Sequence, residues 1–422
     1  MTTLSAKQET ELQCAILEYL LDKGFSESAL ALQREAGAAC VKADKSTALL
    51  VKKWTSVVRL QKKVLDLEEK LSALANAAPA PLSLAAQGVS VGASAAGGGD
   101  CLPRSPEVHA LATGFRAGVT RVRFHPLFSL VVASSDDASI KVWDYESGQF
   151  ERTLKGHTNA VHDIVFDASG QLLASCSADL TIKLWDFATY DCTRTLFGHD
   201  HSVSAVAFTP SAAHLLSASR DKSIKVWEVA SGFCVQTLLG HDEWVRAIVV
   251  APDGRAAYSA SSDHSVRAWS IDTAGARSAA AGDWRGHDHV VECIAVNAVE
   301  LPKLACDGGT RLVTKVAPGA LVATGSRDNS IRLWSTATGN CEAVLDGHEN
   351  WVRTLVFHAN GKFLLSGADD KSVRVWDLAL GRCVKTIANA HKHFVATLDY
   401  NPRDPFLATS GVDCELKLWR CR

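Results

Sequence analysis

Ser175-x-Ser177-x-Asp179-x-x-Ile182-x-Leu184-Trp185 is the stretch on which the fold of this chain turns. It alternates as a β-strand does, and it recurs. Equivalent segments end at Trp143, Trp185, Trp227, Trp269, Trp334, Trp376 and Trp419, with successive gaps of 42, 42, 42, 65, 42 and 43 residues. Upstream lie Gly156-His157, Gly198-His199, Gly240-His241, Gly286-His287, Gly347-His348 and Ala390-His391. A period of about 40–45 residues with Gly-His early and Trp late marks the four-stranded blades of a propeller. Seven tryptophans predict an all-β seven-bladed β-propeller of WD repeats over residues 109–422. The long fifth gap predicts an insertion around Val296–Gly319, looped between the first two strands of its blade. The stretch Val108–Ala112 is expected to supply the outermost strand of the last blade, closing the ring and removing free edges.

Ahead of the repeats the pattern changes. Leu12, Ala15, Ile16, Tyr19 and Leu20 form the stripe of an amphipathic helix that Gly24 stops. Ser26 caps a second helix through Ala29, Leu30 and Leu32, ending at Gly37. Two helices this short bury too little surface to stand alone. They either dock on the propeller or pair with a second copy into a small helical bundle over 1–40. The segment 44–75 favours pairing. Val57, Val64 and Leu71 fall at a, and Leu60, Leu67 and Leu74 at d, of a heptad seam that suits a parallel two-stranded coiled coil. Lys63 and Glu68 are placed to pair across it; a single amphipathic helix on another domain is the alternative. Residues 76–108 turn to Ala, Gly, Ser and Pro, the composition of a flexible tether.

Composition narrows the function classes. With 47% hydrophobic and 21% charged residues the chain is globular, and its net charge of −2 gives no push toward nucleic acid or anionic membrane. Residues 1–20 hold Glu9 and Glu11 and no continuous apolar run, so neither a signal peptide nor a membrane-spanning helix is expected. The twelve cysteines show no C-x-x-C pair and read as reduced thiols, most of them acting as small buried hydrophobes.

Six blades repeat a His, a Ser or Thr, and an Asp: His157/Ser175/Asp179, His199/Ser217/Asp221, His241/Ser259/Asp263, His287/Thr324/Asp328, His348/Ser366/Asp370 and His391/Thr409/Asp413. A nucleophilic site needs one constellation with an oxyanion hole, not six equivalent ones. The repetition reads instead as buried polar groups satisfying one another and pinning a turn. Blade 1 departs, with Phe115 for the His and Ala133 for the Ser, and is expected to be the least tightly pinned. His287-x-His289 and His391-x-His393 place two imidazoles together on a strand face, but no third metal ligand is near. No phosphate loop of the G-x-x-x-x-G-K-[ST] type occurs, and no cofactor is expected.

Binding is expected at one end of the ring, where three positions per blade surface. The residue before the Val that follows Gly-His reads Gly118, Ala160, Ser202, Trp244, Val290, Trp351, Phe394. The residue after that Val reads Thr120, His162, Ser204, Arg246, Glu292, Arg353, Ala396. The residue before the turn Asp reads Asp136, Ala178, Arg220, Ser262, Arg327, Asp369, Val412. Blades 3 to 6 thus gather Arg220, Arg246, Arg327 and Arg353 beside Trp244 and Trp351, with Lys371 just beyond a turn Asp. Arg and Trp are the usual anchors of protein interfaces, so an acidic protein surface is the expected partner. Nucleic acid is disfavoured by Asp136 and Asp369 on the same face.

Over almost its whole length the chain resembles the family of the lissencephaly protein, also called nuclear distribution protein F. The helix pair at 12–37 resembles that family's dimerisation motif, and Lys52-Lys53-Trp54-Thr55-Ser56-Val57-Val58-Arg59-Leu60-Gln61-Lys62-Lys63-Val64 resembles its coiled coil. Ile140-Lys141-Val142-Trp143-Asp144-Tyr145 and Glu151-Arg152-Thr153-Leu154-Lys155-Gly156-His157 match its first blade. The resemblance implies a non-catalytic homodimer that grips the cytoplasmic dynein heavy chain at its motor domain. It implies a regulator of minus-end-directed transport, nuclear positioning and cell division, cytoplasmic and associated with microtubules (indirectly), centrosome and spindle pole. It also implies nuclear distribution protein E as a partner and, in animals, acetylhydrolase subunits. The residues that would carry motor binding are Arg220, Arg246, Arg327, Trp351 and Arg353, which coincide with the cluster read from repeat geometry. The competing reading is an adaptor or substrate receptor of another complex, such as a ubiquitin ligase.

Overall fold

A computed structural model describes residues 102–103, 107, 109–112, 114–271, 280–298, 301–302, 315–316, 320–401 and 403–421. Seven four-stranded antiparallel sheets make the seven blades. In blade 2 the strands Val161–Phe166, Leu172–Ser177, Ile182–Asp186 and Asp191–Leu196 run in order from the centre to the rim. The innermost strands, beginning at Val119, Val161, Val203, Val245, Val291, Val352 and Val395, pack side by side around the centre. Ser175-x-Ser177-x-Asp179-x-x-Ile182 is therefore two strands joined by a turn, not one alternating strand. Leu173–Ser177 is buried without alternation, because a neighbouring blade covers each face of the sheet.

Between every pair of adjacent blades lies an apolar cluster, seven in all among the described residues. Each takes in a repeat tryptophan; Trp185, for example, packs with Val132, Ile140 and Val142 of blade 1. The Gly-His glycine has a reason here. A Cβ on Gly156 would stand 2.9 Å from Trp185 Cη2.

The tryptophan also starts a hydrogen-bond relay. Trp185 Nε1 donates to Ser175 Oγ (2.8 Å), whose hydroxyl donates to His157 Nε2 (2.7 Å), and His157 Nδ1–H donates to Asp179 Oδ2 (2.8 Å). Because a carboxylate only accepts, Asp179 puts the His157 proton on Nδ1 and leaves Nε2 to accept from the serine hydroxyl. The other five relays keep the geometry, with His–Asp distances of 2.7–3.0 Å and His–hydroxyl distances of 2.7–2.9 Å. The aspartate at the end of each relay holds a strained turn. Leu180 and its equivalents Ala138, Lys222, His264, Asn329, Lys371 and Cys414 all sit at φ between +60° and +70°. Asp179 steadies that bend by accepting from Thr181 N (3.0 Å), Thr181 Oγ1 (2.6 Å) and Thr158 N (3.1 Å). Burial works against the Asp179 charge, yet these hydrogen bonds and His157 bring its pKa down to about 2. Burial pushes His157 below the usual imidazole range against the pull of Asp179.

Blade 1 is pinned differently. Phe115 meets Trp143 edge-on at 5.7 Å, Lys141 Nζ lies 4.5 Å from the Phe115 centroid, and Arg116 N still donates to Asp137 (3.0 Å). The polar relay is replaced by an apolar pair, so no buried hydroxyl is orphaned there. The ring closes as expected: His109–Ala112 pairs with Glu415–Arg420 as the outermost strand of blade 7. Tyr145 OH of blade 1 adds a donation to Asp404 (2.6 Å) of blade 7 and accepts from Asn401 Nδ2 (3.0 Å).

Two expectations need correction. Of the eight described cysteines only Cys176, Cys293 and Cys421 are buried. Cys192, Cys234, Cys341 and Cys383 instead lie in the first two residues of the outer strands of four blades, each opposite its tryptophan at a register shift. There the thiol donates to the carbonyl two residues on, as Cys192 Sγ does to Arg194 O (3.3 Å), which serves the bulge rather than the core. The His-x-His pairs lie in loops, not on strands, because the relay histidine must enter from the turn. His289 stacks on His264 at 5.7 Å, and His393 meets Phe394. The insertion does fall between the first two strands of blade 5, Val291–Val296 and Leu321–Ser326, and contributes a short pair, Leu301–Pro302 with Lys315–Val316. The expected helices and heptad, with Leu12, Ile16, Tyr19, Leu20, Val57, Leu60, Val64, Leu67, Leu71 and Leu74, lie outside the described residues, as does most of the tether.

Breaking one relay should be costly, and removing it cleanly should not. His199→Ala leaves the buried Ser217 and the half-buried Asp221 without their shared partner and should destabilise by about 3 kcal/mol. The double change His199→Phe with Ser217→Ala, which reproduces the blade 1 pair, should recover at least about half of that. A melt in which the double variant is no more stable than His199→Ala would refute the equivalence.

Acid stability follows from the same groups. The folded pKa of His157 is lowered, so its contribution is full above about pH 6.5 and is lost as pH falls. Asp179 and the lowered Asp221, Asp263, Asp328, Asp370 and Asp413 contribute fully above about pH 4 and lose that contribution toward pH 2. Tm should therefore decline gently below pH 6.5 and steeply below pH 4. Asp221→Asn should lower Tm at pH 7 and flatten the acid slope; an unchanged slope would show that the relays do not set it.

Candidate partner-binding face

A backbone hydrogen bond explains why two of the three variable positions of each blade meet, and the third lies in the inner strand, just beyond its first Val. The residue before the turn Asp donates its N–H to the carbonyl of the residue before the innermost strand. Arg220 N reaches Ser202 O (3.0 Å), Ser262 N reaches Trp244 O (2.8 Å), Arg327 N reaches Val290 O (3.0 Å) and Asp369 N reaches Trp351 O (2.9 Å). The same bond joins Asp136 to Gly118, Ala178 to Ala160 and Val412 to Phe394. All seven blades therefore present these side chains on one end of the ring. At its centre is a cavity of about 320 Å³ whose lining draws on all three sets of positions.

The arginines and tryptophans assemble across blade junctions. Arg220 of blade 3 lies over the Trp244 ring at 4.6 Å, and Arg246 of blade 4 flanks the same ring at 5.2 Å. One junction is skipped. Arg327 of blade 5 then lies over Trp351 at 4.2 Å, and Arg353 of blade 6 flanks it at 5.0 Å. Each tryptophan is thus held between two guanidiniums, contacts worth about 0.5–1 kcal/mol apiece at an exposed site. All six side chains are half-buried, leaving part of each open to a partner.

Internal acids restrain this cluster. Glu292 lies in blade 5, at the repeat position that Arg246 and Arg353 occupy in the blades on either side. Its Oε1 accepts from Arg327 Nε at 2.5 Å, and its Oε2 is 3.9 Å from both Arg246 Nη1 and Arg353 Nη1. Asp369 takes Arg353 in a bidentate pair, Nε to Oδ1 and Nη2 to Oδ2, both 2.9 Å. Burial works against the Arg353 charge, but Asp369 and Glu292 raise its pKa overall. Burial lowers Arg246, with the neighbouring arginines adding to the fall and Glu292 opposing it. Across the cavity His162 is pushed down to about 4, first by burial and then by Arg220, with Asp163 opposing. It is held neutral beside Ser202 Oγ at 3.0 Å.

The expected residues are therefore largely brought together: Arg220, Trp244, Arg246, Arg327, Trp351 and Arg353 form one surface over four blades. Lys371 stands apart, on the turn after Asp370, where its carbonyl accepts from Ala390 N (2.9 Å), and it makes none of the guanidinium–indole contacts that join the other six. Asp369 was expected on this face, but not as the partner of Arg353, and Glu292 was not expected as a counter-ion at all. Glu292 stood in plain view at an arginine's position, but the pattern could not say that its carboxylate turns toward three neighbours. The face is consequently less basic than its arginines alone imply.

Comparison with known proteins agrees with the repeat architecture. The family model for the WD domain, G-beta repeat, matches seven times, at residues 107–144, 148–186, 190–228, 232–270, 281–335, 339–377 and 381–420. The PAC1 LisH domain model matches residues 6–39. The chain is 56% identical to the Lissencephaly-1 homolog of Dictyostelium discoideum, across 99% of both chains. It is 54% identical to the Lissencephaly-1 homolog of Heterostelium pallidum, again across 99% of both. It is 45% identical to the nuclear distribution protein PAC1 of Coccidioides posadasii, covering 94% of this chain and 86% of that one.

The two kinds of arginine should separate in stability. Arg353→Ala strands Asp369, only 5% exposed, without its cation, and should destabilise by about 3 kcal/mol. Arg220→Ala gives up mainly its stacking on Trp244 and should cost less than about 1 kcal/mol. Equal losses in denaturant melts would contradict this division.

Proposed function

The chain belongs to the Lissencephaly-1, PAC1 and nudF family of WD-repeat proteins with an N-terminal LisH domain, and from that premise we propose that it is a dimeric regulator of cytoplasmic dynein. The family is non-catalytic. Binding runs through the Arg–Trp face to the dynein motor domain, and the outcome is control of minus-end-directed transport and nuclear distribution. The observation that carries this reading is the pair of Arg–Trp–Arg brackets at the junctions of blades 3–4 and 5–6. Aromatic and guanidinium groups held together and half-open are what an interface hot spot needs. Arg220, Trp244, Arg246, Arg327, Trp351 and Arg353 are the contact residues, with Lys371 at the margin.

Dimerisation through 1–40 and the coiled coil at 44–75 belongs to the same proposal, with 76–108 as the tether to the propeller at 109–422. Once one propeller is engaged, a tethered second one is held at high effective concentration beside any second site. Nuclear distribution protein E-type coiled coils are the expected second partner, with microtubules reached indirectly at centrosome and spindle pole.

The test is binding of the purified full-length protein to a purified dynein motor domain, with Arg246→Ala and Trp351→Ala alongside. Wild type should bind, and each substitution should weaken binding by more than about 1 kcal/mol. Failure of wild type to bind at micromolar concentration would remove the dynein reading. Binding that neither substitution weakens would move the interface to another surface.

A further inference from the structure

We propose that Glu292 is a positioning residue of the binding face: one buried carboxylate that locks the two Arg–Trp–Arg brackets in register. The inference rests on the binding reading above and adds a residue that is not an arginine or an aromatic anchor.

Glu292 touches an arm of each bracket. It holds Arg327 of the Trp351 bracket at 2.5 Å, and it sits 3.9 Å from Arg246 of the Trp244 bracket and from Arg353. Its side chain is 9% exposed, so this is a structural counter-ion within the surface and not a contact offered to solvent. Three guanidiniums converging on one point repel one another unless a charge of opposite sign stands between them. By engaging Arg327 through Nε, Glu292 occupies that nitrogen while the guanidinium lies over the Trp351 ring. Asp369 takes Arg353 through Nε and Nη2, and the remaining Nη1 lies 3.9 Å from Glu292, so Arg353 is committed to internal acids. The acids thus decide which arginine nitrogens remain for a partner's carboxylates, and at what spacing.

Replacing Glu292 by Gln separates two accounts by sign. If the face worked by net positive charge, E292Q would make it more basic and tighten binding to any acidic surface. If Glu292 positions the arginines, E292Q should weaken the specific partner while strengthening generic polyanion binding. The full-length wild type, E292Q, E292D and R246A would each be titrated with the dynein motor domain and eluted from heparin by salt, after their Tm values confirm folding. Expected is at least about a fivefold weaker motor affinity for E292Q, with later elution from heparin, and an intermediate loss for E292D, which keeps the charge but falls one methylene short. If R246A binds weakly and E292Q or E292D binds as tightly as wild type or tighter, the positioning role is wrong and the binding reading survives. If wild type itself does not bind, the binding reading fails and this role falls with it.

Discussion

The turn aspartate at the end of each Trp–Ser–His–Asp relay is the constraint on which the rest of this molecule depends. A non-glycine residue at φ near +65° follows it in every blade, a conformation costing roughly 1 kcal/mol or more. The aspartate offsets that cost by accepting the N–H two residues on, and the relay anchors the aspartate to a tryptophan buried between blades. Inter-blade packing, the strand turn and the loop before the next innermost strand are therefore one connected system. The binding face is a by-product of that system. The residue preceding the aspartate is brought against the residue preceding the inner strand by a single backbone hydrogen bond, whatever side chains the two carry.

That separation of frame from side chain lets one ring carry unequal blades. Blades 1 and 2 place Gly118, Asp136, Ala160 and Ala178 at the positions where blades 3 to 6 carry Arg220, Trp244, Arg327 and Trp351. Blade 1 even replaces its relay with a phenylalanine against tryptophan and keeps the turn, through Arg116 N and Ser139 on Asp137. The frame tolerates the exchange because the histidine and the serine were replaced together, so neither is left without the other. Function can then vary at the tips of the blades without a matching change in the sheets.

How much of this was legible in the sequence divides along the same line. Blade number, ring closure, the placement of the insertion and the six relays follow from periodicity and from the chemistry of buried polar groups, which spacing encodes. Leu173–Ser177 was harder, because a strand covered on both faces loses the alternation that normally identifies it. The cysteines misled for a related reason. Composition treats a thiol as a small hydrophobe, whereas Cys192 and its counterparts sit at a bulge where the thiol's weak donation to a carbonyl is what matters. Glu292 was visible only as an odd residue in a column; that it serves three arginines from three blades depends on curvature, which no linear pattern records.

The charge balance of the face carries a last consequence for recognition. Arginines free in solvent would lose rotamer entropy on meeting a partner, at about 0.5–1.5 kcal/mol for each side chain immobilised. Here Arg246 is held by Ser262 Oγ at 2.9 Å, Arg327 by Glu292 and Arg353 by Asp369, so most of that ordering is completed during folding. The internal acids reduce the net field and with it the long-range pull on acidic molecules in general. What remains is a surface with modest charge and high order, suited to discriminate by geometry. Arg220 is the complement to this arrangement: stacked on Trp244, it is the member of the cluster on which a partner's carboxylate competes with no internal ion pair among the described contacts.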